Sequence, residues 1–141
     1  MRIGQLAAQT GYSVRTIRFY EQSGLLPAPS RTPAGYRSYD QDAVSRLRFV
    51  RSAQALGLSL AEIADVLRIR DHQGPPCSYV AELLDTHIGA LDARIKELTA
   101  LRDELRARHP LGAEPDPDRC PSDQVCYLIE DDVAEGDVSE R

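Results

Sequence analysis

Between residues 84 and 105 the chain carries Leu84, Ile88, Leu91, Ile95, Leu98 and Leu105, separated by steps of four, three, four, three and seven. This is a heptad stripe interrupted only at Arg102, and it extends backwards through Ala81 to Cys77. Asp92, Lys96, Glu97 and Arg102 flank it, as charges flank the seam of a solvated coiled coil. So narrow a seam, running about four heptads, has little in its own chain to bury against. The pattern predicts a dimerisation helix over 76–109 rather than a helix packed on its own domain.

Before the stripe, the signals are those of short helices. Ile3, Leu6 and Ala7 fall at helical spacing over 3–10, and Gly11 supplies a stop. Ser13 is a good N-cap for the run Val14-Arg-Thr-Ile17-Arg-Phe-Tyr-Glu-Gln-Ser, which stops at Gly24. A helix, a tight turn and a second helix in so short a span predict a helix-turn-helix. Pro27, Pro29, Pro33 and Gly35 exclude a helix through 27–35, and Tyr36-Arg-Ser-Tyr39 alternates as a small hairpin or wing would. Asp40 can cap a third helix over 41–56, with Val44, Leu47, Phe49 or Val50, and Leu56 inward. Ser59-Leu-Ala-Glu62 is a capping box opening a fourth helix to about Arg70.

Two of these helices follow a similar Gly-x-Ser turn, and their side chains tell them apart. After Ser13 come Arg15, Thr16, Arg18 and Tyr20; after Ser59 come Glu62 and Asp65, which phosphates repel. The first is the expected reader, with Phe19 expected in the core. The net charge of −5 conceals a matching split. Residues 1–55 hold eight arginines against three acids, whereas residues 72–141 hold seven basic groups against sixteen acids. Such asymmetry points the first part at a polyanion.

Three cysteines remain: Cys77, Cys120 and Cys126. A helix from Cys77 to about Arg108 spans roughly 48 Å. The walk from Arg108 to Cys120 covers at most about 40 Å when fully extended. Cys120 therefore does not comfortably return to Cys77 of its own chain. In a parallel helix pair both Cys77 residues lie at the far end; in an antiparallel pair, Cys77 of one chain meets Cys120 and Cys126 of the other. Deprotonated thiols are soft ligands for zinc, cadmium, lead or mercury. His72 and His109 flank the expected site from opposite chains as candidate additional ligands, while His87 reads as a surface histidine.

The first 71 residues resemble the DNA-binding domain of the MerR family of transcriptional regulators. The resemblance rests on Ile3-Gly-Gln-Leu-Ala, Gly11-Tyr-Ser-Val-Arg-Thr-Ile-Arg-Phe-Tyr-Glu, Gly24-Leu-Leu-Pro27, Gly35-Tyr-Arg-Ser-Tyr39 and Leu56-Gly-Leu-Ser-Leu-Ala-Glu-Ile. The remainder is similar to the family's heavy-metal branch, which carries a cysteine at the start of the dimer helix and two in a loop after it. The separation of Cys77 from Cys120 is longer than usual there, and that of Cys120 from Cys126 somewhat shorter. The resemblance implies a mainly α fold. A winged helix-turn-helix (1–71) is followed by a long antiparallel dimerisation helix (76–109), a metal-binding loop (110–129) and a disordered acidic tail (130–141). It also implies a homodimer on an inverted-repeat promoter that activates efflux or resistance genes. A divalent zinc, cadmium, lead or mercury ion on Cys77, Cys120 and Cys126 then distorts the DNA so that RNA polymerase engages both promoter elements. Ser13, Arg15, Thr16, Arg18 and Tyr20 of the reader, with Arg31, Tyr36, Arg37 and Tyr39 of the wing, are the expected DNA contacts.

Two other readings fit parts of the chain: a ligand-independent architectural DNA-binder, which leaves the thiols unexplained, and a thiol-redox-sensing regulator of the same family. An iron–sulfur sensor usually needs four clustered cysteines. A drug sensor needs a larger C-terminal domain than 109–141 forms. No Ser/His/Asp set, phosphate-binding glycine loop or paired acids point to an enzyme. With no apolar run of membrane length and a polar opening segment, the expected location is the cytoplasm, where three cysteines read as thiols or ligands.

Overall fold

The computed structural model describes residues 1–133. Its described residues divide into two compact units, the first Met1–Leu84 and the second beginning at Asp85. The first contains α1 (Ile3–Thr10), α2 (Val14–Gln22), β1 (Ser30–Arg31), β2 (Arg37–Ser38), α3 (Gln41–Ala55) and α4 (Leu60–Gln73). Helix α5 (Cys77–Arg108) begins in this unit and ends in the second, which continues through a 3-10 turn (Pro117–Arg119) to α6 (Tyr127–Glu130). None of the helices over the described residues is long and apolar enough to cross a membrane.

The helix ends obey the expected capping chemistry. Ser13 accepts the Thr16 amide, Asp40 accepts that of Ala43, and Ser59 with Glu62 forms the capping box. Gly11 takes a left-handed φ of 77° after α1, where its amide closes on the Ala7 carbonyl at 2.8 Å. The core is Leu6 from α1, Ile17 from α2, Val44, Leu47 and Val50 from α3, and Ile63 and Leu67 from α4. Phe49 is half-buried beside it. Leu56, expected inward, is 70% exposed, because it closes the turn after α3 and Leu58 fills the interior in its place.

One of the eight N-terminal arginines is not available as surface charge. Arg46 is buried, donating to the Asp71 carboxylate at 2.8 Å and to the Leu25 carbonyl at 3.1 Å. Its guanidinium ties α3 to the end of α4 and to the chain leaving α2. Removing Asp71 would leave the buried guanidinium without its counter-charge.

Helix α5 enters directly after Pro75-Pro76, and its first turns belong to the head. Leu83 packs against the core, and the Tyr79 hydroxyl donates to Asp65 of α4 at 3.4 Å. From Leu84 onward the stripe faces outward: Ile88, Leu91, Ile95, Leu98 and Leu105 are all exposed, as is Leu101 next to the interruption at Arg102. No residue of α5 is buried. The tail was expected to be disordered from residue 130; instead Glu130 closes α6 and Asp131 donates its amide to the Tyr127 carbonyl at 3.1 Å. Residues 134–141 lie outside the described residues.

Candidate DNA-binding face and metal-ligating thiols

Helix α2 presents Arg15 and Arg18 to solvent, with Thr16 half-buried at its start. Ser13 is exposed and spends its hydroxyl on the helix, accepting the Thr16 amide and donating to Thr16 Oγ1 at 2.9 Å. Tyr20 is not on this face. It is 4% exposed, packed edge-on to Tyr12 at 5.4 Å between centroids, because its position on α2 falls on the same side as Ile17. Phe19 is the converse case: expected in the core, it is 53% exposed and lines a shallow groove with Val14, Arg15, Arg18 and Gln22. The two neighbouring aromatics exchange roles, and the helical period decides which of them goes in.

The wing is a two-stranded hairpin pairing Ser30 with Ser38 and Arg31 with Arg37. Its turn is closed by the Thr32 amide on the Tyr36 carbonyl at 2.7 Å, and by Arg31 donating to the Gly35 carbonyl at 2.9 Å. Gly35 sits at φ 89°, a conformation that side chains disfavour. Arg31, Tyr36 and Arg37 are exposed, and the Arg2 guanidinium stacks on the Tyr36 ring at 4.1 Å. Tyr39 departs from expectation. It is 4% exposed and donates its hydroxyl to Glu21, and its amide bonds the Met1 carbonyl at 2.7 Å. Burial, reinforced by the hydrogen bond to Glu21, raises its pKa above the ordinary tyrosine range.

Glu21 is the residue the sequence reading overlooked. An acid on the reader helix looks out of place near phosphates, yet its side chain is nearly buried and fully employed. One carboxylate oxygen takes Tyr39, and the other takes Arg37 at 3.0 Å, so α2 and the wing are braced together. The signal was present: an acid is tolerated beside a polyanion only when nearby cations or donors consume it.

All three cysteines are free thiols. Cys77 stands exposed at the first residue of α5. In the second unit, Cys120 Sγ accepts the Tyr127 amide at 3.3 Å, and the amides of Val125 and Cys126 each donate to Glu130 Oε2 at 2.7 Å. Tyr127 is the buried centre of this loop. Its hydroxyl accepts the Asp116 amide at 2.9 Å and Arg119 lies over its ring at 4.3 Å. His72 and His109 are exposed. Among the described residues of a single chain, no three His, Cys, Asp or Glu side chains gather into a metal-sized cluster.

Residues 1–69 match the MerR HTH family regulatory protein family, and residues 44–108 match the family described as MerR, DNA binding. The chain belongs to the MerR family of transcriptional regulators. It is 39% identical over 105 residues to the ZntR homolog of Haemophilus influenzae, covering 74% of this chain and 78% of that protein. It is 34% identical over 126 residues to the mercuric resistance operon regulatory protein of Bacillus cereus, covering 89% of each. Among solved structures, PbrR691 from Ralstonia metallidurans CH34 in complex with lead(II) superposes with a TM-score of 0.67 at 38% identity. That match covers 85% of this chain and 94% of PbrR691. Within the MerR family, the likeness is thus to the heavy-metal-responsive branch.

Proposed function

We propose that this MerR-family chain is a homodimeric activator that binds an inverted-repeat promoter and responds to a divalent heavy-metal ion. The observation that carries the reading is the pairing of an unburied apolar stripe on α5, which calls for a cover, with one thiol at the start of that long helix and two in the loop beyond its end, which call for a means of meeting. Both demands are met by a second copy running in the opposite direction. The stripes then bury each other, and Cys77 of each chain comes beside Cys120 and Cys126 of the other. Each dimer so built has two thiolate sites. The sulfur donor set suits soft cations, with three thiolates favouring lead or mercury and an added His72 or His109 favouring zinc or cadmium.

On the DNA side, Arg15, Thr16 and Arg18 enter the major groove or its flanking phosphates, and Arg31, Tyr36 and Arg37 clamp the backbone. Ser13 serves as the cap that opens the reader helix, and Tyr20 and Tyr39 act from the core by fixing its angle to the wing. The cation must bind the activating state more tightly than the repressing one, or it shifts nothing. A site straddling the two dimer helices meets that condition by resetting the two heads on the duplex. Deformation of the DNA between them then governs polymerase engagement.

The test separates DNA binding from response. Cys77→Ser is expected to leave gel-shift affinity for the promoter nearly unchanged and to abolish transcriptional induction by zinc, cadmium, lead and mercury salts. A Cys77→Ser protein still induced by any of these would refute the proposal.

A further inference from the structure

The cysteine loop is short of means to hold itself. Helix α6 has only four residues, too few to persist alone, and its last carbonyls have no intrahelical partners. Arg108, the final residue of α5, supplies those partners. Its Nη1, with two hydrogens, donates to the carbonyls of Ile129 and, at 2.9 Å, Asp131, and the Leu128 carbonyl shares one of these hydrogens at 3.3 Å. The rest of the guanidinium is fixed by Glu104, one turn earlier, at 3.0 Å from Nη2 and 3.1 Å from Nε. One planar fork is therefore anchored in the dimer helix by a carboxylate and caps the segment that follows Cys126.

From that cap the order propagates to both thiols through bonds already described. Glu130, at the end of α6, accepts the amides of Val125 and Cys126, and Tyr127 donates to Cys120 Sγ. Gln124 adds a link to Asp131 at 3.0 Å. No bond in this chain of contacts occupies the Cys126 sulfur.

We infer that Arg108 is the positioning residue of the metal response. It holds the Cys120–Cys126 loop in its ligating shape against the end of α5 without touching the cation. This rests on the reading that Cys120 and Cys126 bind metal. Without Arg108, binding must also order the loop, and that ordering costs affinity. Residues that orient ligands in this way typically contribute about 10- to 100-fold in metal affinity.

The experiment uses the full-length protein, with cadmium(II) alone as the probe and thiolate-to-cadmium charge-transfer absorbance as the readout. Wild type, Cys120→Ser, Arg108→Ala and Arg108→Met are each titrated, and metal-free promoter affinity is measured beside each. Arg108→Ala and Arg108→Met are expected to bind cadmium about 10-fold or more weakly, with metal-free DNA affinity within about twofold of wild type. Cadmium affinity equal to wild type in both variants would overturn the role of Arg108 while leaving the metal site standing. Loss of metal-free DNA binding in both would overturn it as well, since the role is confined to the loop. A wild-type band absent or indifferent to Cys120→Ser would instead remove the metal reading itself.

Discussion

The head and the long helix handle apolar surface in opposite ways. In residues 1–84, Leu6, Ile17, Val44, Leu47, Val50, Ile63 and Val66 are sealed to less than 2% exposure by side chains of the same chain. Beyond it, Leu91 and Ile95 of α5 stand 62% and 58% exposed at heptad spacing. The first region encodes a fold that one copy completes. On the proposed reading, the second is half of an interface that another copy completes, with Cys77 on one side of the boundary and Cys120 and Cys126 on the other. A contiguous apolar stripe of this kind on a charged helix marks a docking surface.

The sharpest way to break the contrast is to place charge on the stripe. Leu91→Glu with Ile95→Glu is expected to give a monomer by analytical ultracentrifugation with its head still folded. Losing the second half-site should weaken promoter binding by about 100-fold or more. Equivalent damage inside the head has a different signature. Ile63→Ala is expected to cost about 2–5 kcal/mol of stability in denaturant unfolding, by opening a cavity. The dimer interface would be untouched.

A smaller effect tests the surface of the head. Arg18→Ala is expected to lower promoter affinity by about 1–3 kcal/mol and to flatten the salt dependence of binding. Unchanged affinity and slope would remove Arg18 from the interface. The smallest effect concerns the brace between α2 and the wing. Because the pKa of Tyr39 is raised, its contribution to stability is fully present below the ordinary tyrosine value of about 10. It is lost as pH climbs through the folded value. Tyr39→Phe should therefore remove part of the fall in stability above that pH, measurable by thermal melts at stepped pH.

Much of the fold was legible because its punctuation is local. Ser13, Asp40 and Ser59 cap helices by reaching three residues along their own chain, so the sequence alone names them. The stripe on α5 was legible for the same reason, as a period. What escaped depends on contacts between distant segments. Phe19 and Tyr20 are neighbours of similar chemistry; the helical period sets Tyr20 beside Ile17, and that this is the inward side of α2 shows once both join Leu6 and Leu47 in one core. Glu21 reads as an unwelcome acid until Arg37 and Tyr39 arrive from the wing. Arg46 counts as DNA-facing charge until Asp71 claims it. Arg108 reads as one more cation at a helix end, and its grip on Leu128, Ile129 and Asp131 appears only once the chain has turned back.

The central claim is that each cation is held by sulfurs of both subunits, and a mixed dimer tests it most directly. One subunit carries Cys77→Ser; the other carries Cys120→Ser with Cys126→Ser, and differential tags isolate the heterodimer. If the ligands come from opposite chains, that heterodimer keeps one complete set, and it should bind one cadmium ion at wild-type affinity while neither mutant homodimer does. A heterodimer that binds no cadmium tightly, beside a wild type that does, would contradict the account.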